Sequence, residues 1–188
     1  MNRQWWRVCA EWLLVGIGIG CLGTYGYETI EARRFQAERA AEFARAAQAY
    51  APITVRTGSL LGMLDIPRLR LTTAIIEGDD EATLKRAAGH LPDTPLPWER
   101  GNSAIAAHRD GLFRPLKNIA EGDAIIVRSS RDVLRYRVTG TAVVEPDDVS
   151  VLKARSTDVL TLITCYPFHY VGNAPQRFVV HAERVDPR

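Results

Sequence analysis

The sequence predicts a mainly β fold, a barrel or sandwich, preceded by an N-terminal membrane helix. Beyond Pro52, short runs of β-forming residues alternate with turn residues, a pattern typical of such folds. Near the N-terminus, residues 12–27 carry no charge, and the run extended back to Val8 is long enough to cross a bilayer. The 188 residues are 46% hydrophobic and 24% charged, which is ordinary globular composition.

The apolar run has the flanks of a membrane anchor. Aromatic residues of the kind found at membrane interfaces lie at both ends, namely Trp5, Trp6, Tyr25 and Tyr27. Arg3 and Arg7 mark the short leading side as cytoplasmic. A cleaved signal peptide is the alternative, but no A-x-A site follows the run. We therefore expect residues 1–27 to be an uncleaved anchor of a single-pass membrane protein, with the rest of the chain outside the cytoplasm.

Residues 28–52 predict a helical stalk. The segment is rich in Ala, Glu and Arg, which are strong helix formers, and Pro52 ends it. Its apolar residues are too sparse for a core face: Ile30, Phe35, Phe43 and Tyr50. We expect a solvated linker here and place the globular domain at residues 53–188.

The globular domain contains seven candidate strands and one candidate helix. The strands are predicted at residues 62–66, 69–76, 103–108, 124–129, 134–144, 159–166 and 177–185. The helix is predicted over residues 80–88, with Asp79 as a possible N-cap and Gly89 as its C-terminal stop. The acidic residues 77–81 lack EF-hand spacing, so helix capping explains them better than calcium.

The net charge and the absence of metal-binding motifs argue against nucleic-acid binding and against a metal site. A net charge of +2, with no basic cluster interleaved with aromatic residues, makes a nucleic-acid partner improbable. A zinc site made from Cys165 and several histidines is conceivable, but the chain has no C-x-x-C or H-E-x-x-H pairing. We expect no metal and no cofactor.

Cys165 ends the apolar run "VLTLITCYP" and is the cysteine of interest. Cys9 and Cys21 lie in or beside the apolar N-terminal run, so the globular domain has one thiol and no internal disulfide. The simplest interpretation is a buried cysteine that fills a gap in the core. The other is a nucleophile, because a single unpaired thiol with histidines elsewhere is a common catalytic pattern.

The four histidines differ in their surroundings. His108 ends the strand "SAIAAH" at the start of a turn, where functional groups are often presented. His90 is predicted at a helix end, where a capping or dipole role is expected. A proline separates His169 from Cys165 and argues against a helix that would bring both to one face. His181 is mid-strand and is interpreted as a core histidine.

Arg177 supplies the remaining requirement of thiol chemistry. Such chemistry needs a thiolate, a proton shuttle, and positive charge where an oxyanion develops. Arg177 begins a strand just after the turn "VGNAP". If the strands of Cys165 and Arg177 are antiparallel neighbours, both residues lie at one rim of the fold.

With these residues identified, residues 60–185 resemble a sortase, most closely the class D sortases. The segment "TLITC" matches the T-L-x-T-C signature that ends in the nucleophile, "AIAAHRDGLF" matches the histidine segment, and "QRFVV" matches the arginine segment. The supporting segments "LGMLDIPRLRL", "GHLPDTPLPWERGN" and "LKNIAEGDAIIV" occur in the right order. Ala107 departs from the family, in which glycine is common before the histidine.

The resemblance implies a closed eight-stranded β-barrel and a transpeptidase. Cys165 would attack the threonine carbonyl of an LPxTG-like C-terminal sorting signal, giving a thioacyl-enzyme. His108 would shuttle protons, Arg177 would stabilise the oxyanion or hold the signal, and Thr164 would help to bind it. The implied partners are a surface-protein precursor and an amine acceptor, either a lipid-linked peptidoglycan precursor or a pilin lysine. The role would be cell-surface anchoring or pilus assembly.

The segment "LPDTP" at residues 91–95 looks like a sorting signal, but a strand follows it instead of an apolar tail, so we expect a structural loop.

Two alternatives to a sortase stay open at this point. A secreted cysteine protease would use the same thiol for hydrolysis only. An anchored binding barrel would bury the cysteine and have no activity.

Overall fold

The N-terminal segment forms one long helix in the computed structural model, which describes residues 3–49, 55–130, 132–170 and 172–185. Helix α1 (Arg3–Ala49) has 47 residues, and its side chains are described for residues 11–45. Among the described residues, this is the one helix long and apolar enough to cross a membrane. The predicted helix end at Pro52, and Tyr50, lie outside the described residues, as do the side chains of the residues that flank the apolar run on its N-terminal side.

Eight strands form a closed barrel, as the resemblance implied. They are β1 (Leu60–Ile66), β2 (Leu71–Glu77), β3 (Ala88–His90), β4 (Asn102–Ala106), β5 (Ala124–Arg128), β6 (Val133–Val144), β7 (Val159–Tyr166) and β8 (Gln176–Arg184). Their order around the barrel is β1-β2-β3-β4-β7-β8-β6-β5, and β5 pairs with β1 to close it. The pairs β2–β3 and β4–β7 are parallel, and the others are antiparallel. Closure leaves the sheet without a free edge.

The core fills the barrel interior with alternate residues of the strands. Leu160 and Leu162 of β7 pack with Ile105 of β4 and Val180 of β8, and all four are fully buried. Since successive side chains of a strand point to opposite faces, this alternation defines which residues face outward. Phe113, in the connection that follows β4, joins the same core.

The predicted helix over residues 80–88 is shorter than expected. Helix α2 (Glu81–Leu84) has one turn, and its cap is Asp80, whose side chain accepts a hydrogen bond from Thr83 N at 3.1 Å. The rest of the segment is β3, which pairs with β2 and β4. The predicted stop at Gly89 is wrong for the same reason. That residue is needed in the strand because a Cβ atom there would collide with the carbonyl oxygen of Gly78.

His90 does not cap a helix, because it is the last residue of β3 in the barrel wall. Its side chain is buried, with Nδ1 2.7 Å from Glu77 Oε2 and Nε2 3.0 Å from Pro95 O. In the loop that follows, the Thr94 hydroxyl donates to Leu91 O at 2.8 Å and accepts from Ala104 N at 3.1 Å. The segment that resembles a sorting signal is therefore a structural loop, as predicted.

The stalk is not solvated along its whole length. Phe35 and Phe43, two turns apart on one face of α1, pack against a second apolar cluster formed by Met63, Ala74, Ile76 and Ala87. Between them, Gln36 Oε1 accepts from Ala74 N at 2.9 Å. The expectation of a solvated linker was wrong here, because these two phenylalanines pack on residues of β1 and β2 and on Ala87, which precedes β3.

Candidate active site

Cys165 and Arg177 lie directly opposite each other on neighbouring strands. Antiparallel β7 and β8 pair Cys165 with Arg177 near the end of the ladder, which confirms the predicted adjacency. Because Leu160 and Leu162 point into the core, alternation places Cys165 on the outer face of the barrel, and its cross-strand partner shares that face. The thiol is free and half-buried.

His108 reaches the same level from the strand on the other side. Parallel β4 and β7 pair Ala106 with Ile163, and Ala107 N then donates to Ile163 O at 3.2 Å. Continuing this register by two residues on both chains would bring His108 level with Cys165. The turn after it is anchored because Phe113 N, from a residue buried in the core, donates to His108 O at 3.2 Å.

The Arg177 guanidinium turns back to the chain just before it, at the start of β8. Nη1 donates to Gln176 O at 3.1 Å and to Ala174 O at 3.3 Å. The register places Arg177 opposite Cys165, while these two carbonyl groups accept the hydrogen bonds of its guanidinium. Its role in stabilising an oxyanion stays a prediction.

Thr164 occupies the face of β7 opposite to Cys165. Its side chain is buried, and Oγ1 donates to Ala107 O at 2.8 Å. The hydroxyl therefore ties β7 to the residue before His108. Direct binding of a substrate by Thr164 stays a prediction, because the hydroxyl donates its hydrogen bond to the Ala107 carbonyl in this structure.

Arg109 is a site residue that the sequence analysis missed. The residue is 5% exposed, and its guanidinium donates to Pro167 O and Tyr170 O, both at 2.8 Å. Asp110 accepts from Nε at 3.0 Å and from Nη2 at 2.6 Å. This hydrogen bond raises the pKa of Arg109 above its usual value and lowers that of Asp110. The adjacent opposite charges in "HRDG" were the available signal, but they do not show what the guanidinium contacts.

An aromatic cluster lies at the end of the barrel interior, next to the strand ends that carry Cys165 and Arg177. Tyr166 stacks on Phe178 with ring centroids 6.2 Å apart, and Phe168 meets both rings edge-on, 5.9 Å from Tyr166 and 5.2 Å from Phe178. By alternation along β7 and β8, Tyr166 and Phe178 lie on the core face, opposite to Cys165 and Arg177. Phe168 and Phe178 pack against the core, so the cluster closes the barrel interior beneath the strand ends that carry the thiol.

The other histidines lie elsewhere. His169 is exposed in the turn after β7. His181 pairs with Thr161 further along the ladder from Cys165, and its Nδ1 is 3.2 Å from Thr161 Oγ1. Burial lowers the pKa of His181, and the charge of Arg155 adds to this effect. His181 also lines a cavity of about 200 Å³ on the barrel side.

A protein-family model described as the sortase domain matches residues 64–185, which include nearly the whole barrel and all the site residues above. The chain belongs to the sortase family. Sortases are transpeptidases, so the family agrees with a barrel that presents a cysteine, a histidine and an arginine at one end. The resemblance inferred from the three motifs is confirmed.

Three relatives show how far the similarity extends. Sortase D of Bacillus subtilis is 36% identical over 130 residues, which are 69% of this chain and 66% of that protein, just under two thirds. The solved Sortase A from Corynebacterium diphtheriae is 32% identical with a TM-score of 0.64, covering 69% of this chain and 62% of that one. The Sortase D5 transpeptidase of Clostridium perfringens has a TM-score of 0.68 at 24% identity, over 82% of this chain and 98% of that one, and shows the shared fold.

Proposed function

We propose that this sortase is a membrane-anchored cysteine transpeptidase that cleaves an LPxTG-like C-terminal sorting signal and transfers the protein to an amine. The observation that carries the proposal is the pairing of Cys165 with Arg177 on the outer face of the barrel. The β4–β7 register, continued by two residues, supports a position of His108 level with that pair. A nucleophile, a proton shuttle and an oxyanion donor would then meet from three adjacent strands.

In the first step, the Cys165 thiolate attacks the carbonyl carbon of the threonine. A C–S bond forms, the peptide C–N bond breaks, and His108 donates a proton to the departing amine. The negative charge that develops on the oxygen is stabilised by the Arg177 guanidinium, which exchanges its contacts with Ala174 and Gln176 for the substrate. The product is a thioacyl-enzyme.

In the second step, His108 takes a proton from the incoming amine, which attacks the thioester. The amide bond forms and the Cys165 thiolate leaves, so the enzyme returns to its starting state. An acceptor amine from a lipid-linked peptidoglycan precursor would give wall anchoring, and one from a pilin lysine would give a pilus.

The anchor would keep the barrel near the membrane surface. If the membrane segment ends near Tyr27, the docked Phe35 follows after eight residues, or about 12 Å of helix. The barrel would thus lie where membrane-bound precursors and lipid-linked acceptors are confined. Full-length protein should require detergent for extraction, and a protease added to intact cells should reach the barrel; release by salt alone would contradict the anchor.

The test is an assay of cleavage and transfer with the full-length protein in detergent. A library of LPxTG-like peptides is incubated with and without a peptide amine, and the products are identified by mass spectrometry. We expect a thioacyl adduct on Cys165 and an amide product, and neither with Cys165→Ala. Hydrolysis without transfer would favour the cysteine protease. No cleavage, together with slow alkylation of Cys165, would favour a binding barrel.

A further inference from the structure

Arg109 makes a set of contacts that the proposed reaction does not use. It follows His108 in the chain, yet its guanidinium is buried and donates to two carbonyl groups of the loop that follows Cys165, those of Pro167 and Tyr170. A buried guanidinium loses its hydration, so its position must be supported by hydrogen bonds of good geometry. These bonds join the two segments that carry His108 and Cys165.

The two reacting residues lie between two such cross-connections. The regular β4–β7 ladder ends at Ala106 and Ile163. Beyond it, Thr164 donates to Ala107 on one side of the reacting pair. On the other side, Arg109 donates to Pro167. The first connection joins the residues immediately before His108 and Cys165. The second joins the residue after His108 to the second residue after Cys165. Each connection therefore lies within two positions of both reacting residues.

We propose that Arg109 is a positioning residue that sets the spacing between His108 and Cys165 by tying the turn after β4 to the loop after β7. This inference rests on the proposed function, in which Cys165 carries the acyl group while His108 transfers protons to and from the amine at the same carbonyl carbon, so the two side chains must lie at short range. It assigns Arg109 no contact with the substrate.

Asp110 supports this role by orienting the guanidinium. Its carboxylate holds Nε and Nη2, which leaves Nη1 directed to Pro167 and lets Nη2 also reach Tyr170. The planar fork of arginine can serve three acceptors at fixed angles, whereas lysine presents one nitrogen on a flexible stem. The charge of Cys165 also contributes to the raised pKa of Arg109, which agrees with a guanidinium close to the thiol.

The experiment compares Arg109→Lys and Arg109→Gln with the same changes at Arg68. Arg68 is the control, because it also forks onto an aspartate, Asp123, and donates to a backbone carbonyl, that of Asn118, on another part of the barrel, with half of its side chain exposed. We measure kcat and KM with a cleaved peptide, and Tm. A misplacement of about 1 Å can cost on the order of 100-fold in rate, so both Arg109 variants should lose 10- to 100-fold in kcat, with KM within about threefold. The Arg68 variants should lower Tm alone.

A second readout does not depend on activity. With Cys9→Ser and Cys21→Ser, the change His108→Cys creates a cysteine beside Cys165, at a spacing that neighbouring strands allow for a disulfide. We expect the disulfide to form readily when Arg109 is present and at least about tenfold more slowly with Arg109→Gln, in line with the loss in kcat. If the wild type neither cleaves nor transfers any peptide, the proposed function fails, and this crosslink still tests the positioning role.

The inference is overturned by either of two results. One is an Arg109→Gln protein whose kcat and crosslinking rate stay within about threefold of the parent, well short of the loss expected from misplacement. The other is a rise in KM at unchanged kcat, which would make Arg109 a substrate-binding residue. Should both Arg109 variants unfold, Asp110→Asn serves instead, because that side chain is largely exposed and its loss releases the guanidinium without removing it.

Discussion

Replacing Thr164 with valine separates two roles for this residue. Valine has nearly the shape of threonine, so Thr164→Val removes the hydroxyl and leaves the packing almost unchanged. The Ala107 carbonyl, in a residue that is 5% exposed, then loses the hydrogen bond it accepts at 2.8 Å. If the hydroxyl positions His108 through Ala107, both stability and rate should fall.

The size of the effect follows from the burial of the carbonyl. A buried acceptor left without a donor costs about 1–3 kcal/mol. For a protein of this size, each kcal/mol shifts Tm by about 2–4 °C, so Thr164→Val should melt roughly 2–12 °C lower. Thr164→Ser keeps the donor and loses one methyl group, which costs about 1 kcal/mol. The serine variant should therefore keep kcat within about threefold of wild type, while the valine variant loses at least tenfold from a misplaced His108.

The assay measures Tm by calorimetry, and kcat and KM on a cleaved peptide, for both variants. The positioning role requires a fall in kcat at nearly constant KM for Thr164→Val. A valine variant with the Tm and kcat of wild type would refute the argument from the hydrogen bond. A raised KM at unchanged kcat would instead support the substrate contact that the family resemblance implied.

Three further predictions concern the other site residues and the stalk. His108→Ala should be nearly inactive in the peptide assay while His181→Ala retains much activity, because the β4–β7 register, continued by two residues, brings His108 level with the thiol, whereas His181 pairs with Thr161; the opposite ranking would mean that the proton shuttle is misassigned. Arg177→Lys should lose at least about 100-fold in kcat/KM at unchanged Tm, the loss typical of a removed oxyanion donor, and a value within about threefold of wild type would exclude a role for its planar geometry. Phe35→Ala should lower the Tm of the full-length protein by more than Ile30→Ala, since the first side chain packs on the barrel and the second is exposed; equal shifts would show that the stalk contact contributes little.

The sequence alone determined most of the strands and the identity of the candidate nucleophile. Runs of β-formers separated by turns predicted β1, β2 and β4 to β8 within a few residues, because strand formation there follows local pattern. The adjacency of Cys165 and Arg177 was also predictable, since two strands joined by a short loop usually pair. The three motifs around Cys165, His108 and Arg177 indicated the family and, with it, the closed barrel.

Local pattern was misleading where distant contacts outweighed it. Residues 80–88 carry helix signals, yet β3 begins at their end. The strand forms because β2 and β4 pair with its backbone on both sides and the His90 ring forms a hydrogen bond with Glu77. The apolar residues of the stalk are too sparse for a core by themselves, but Phe35 and Phe43 need only one face of the barrel to be covered.

The tertiary structure alone decided what surrounds the thiol. The sequence places Arg109 beside His108 and Thr164 beside Cys165, but it does not show that Arg109 bonds to Pro167 or that Thr164 bonds to Ala107. Each of these bonds joins residues more than fifty positions apart, and it exists because the parallel pairing of β4 with β7 brings the two segments level. The residue types that the sequence gives therefore determine the chemistry of the site. Its geometry depends on the register between β4 and β7, two strands that are not consecutive in the chain.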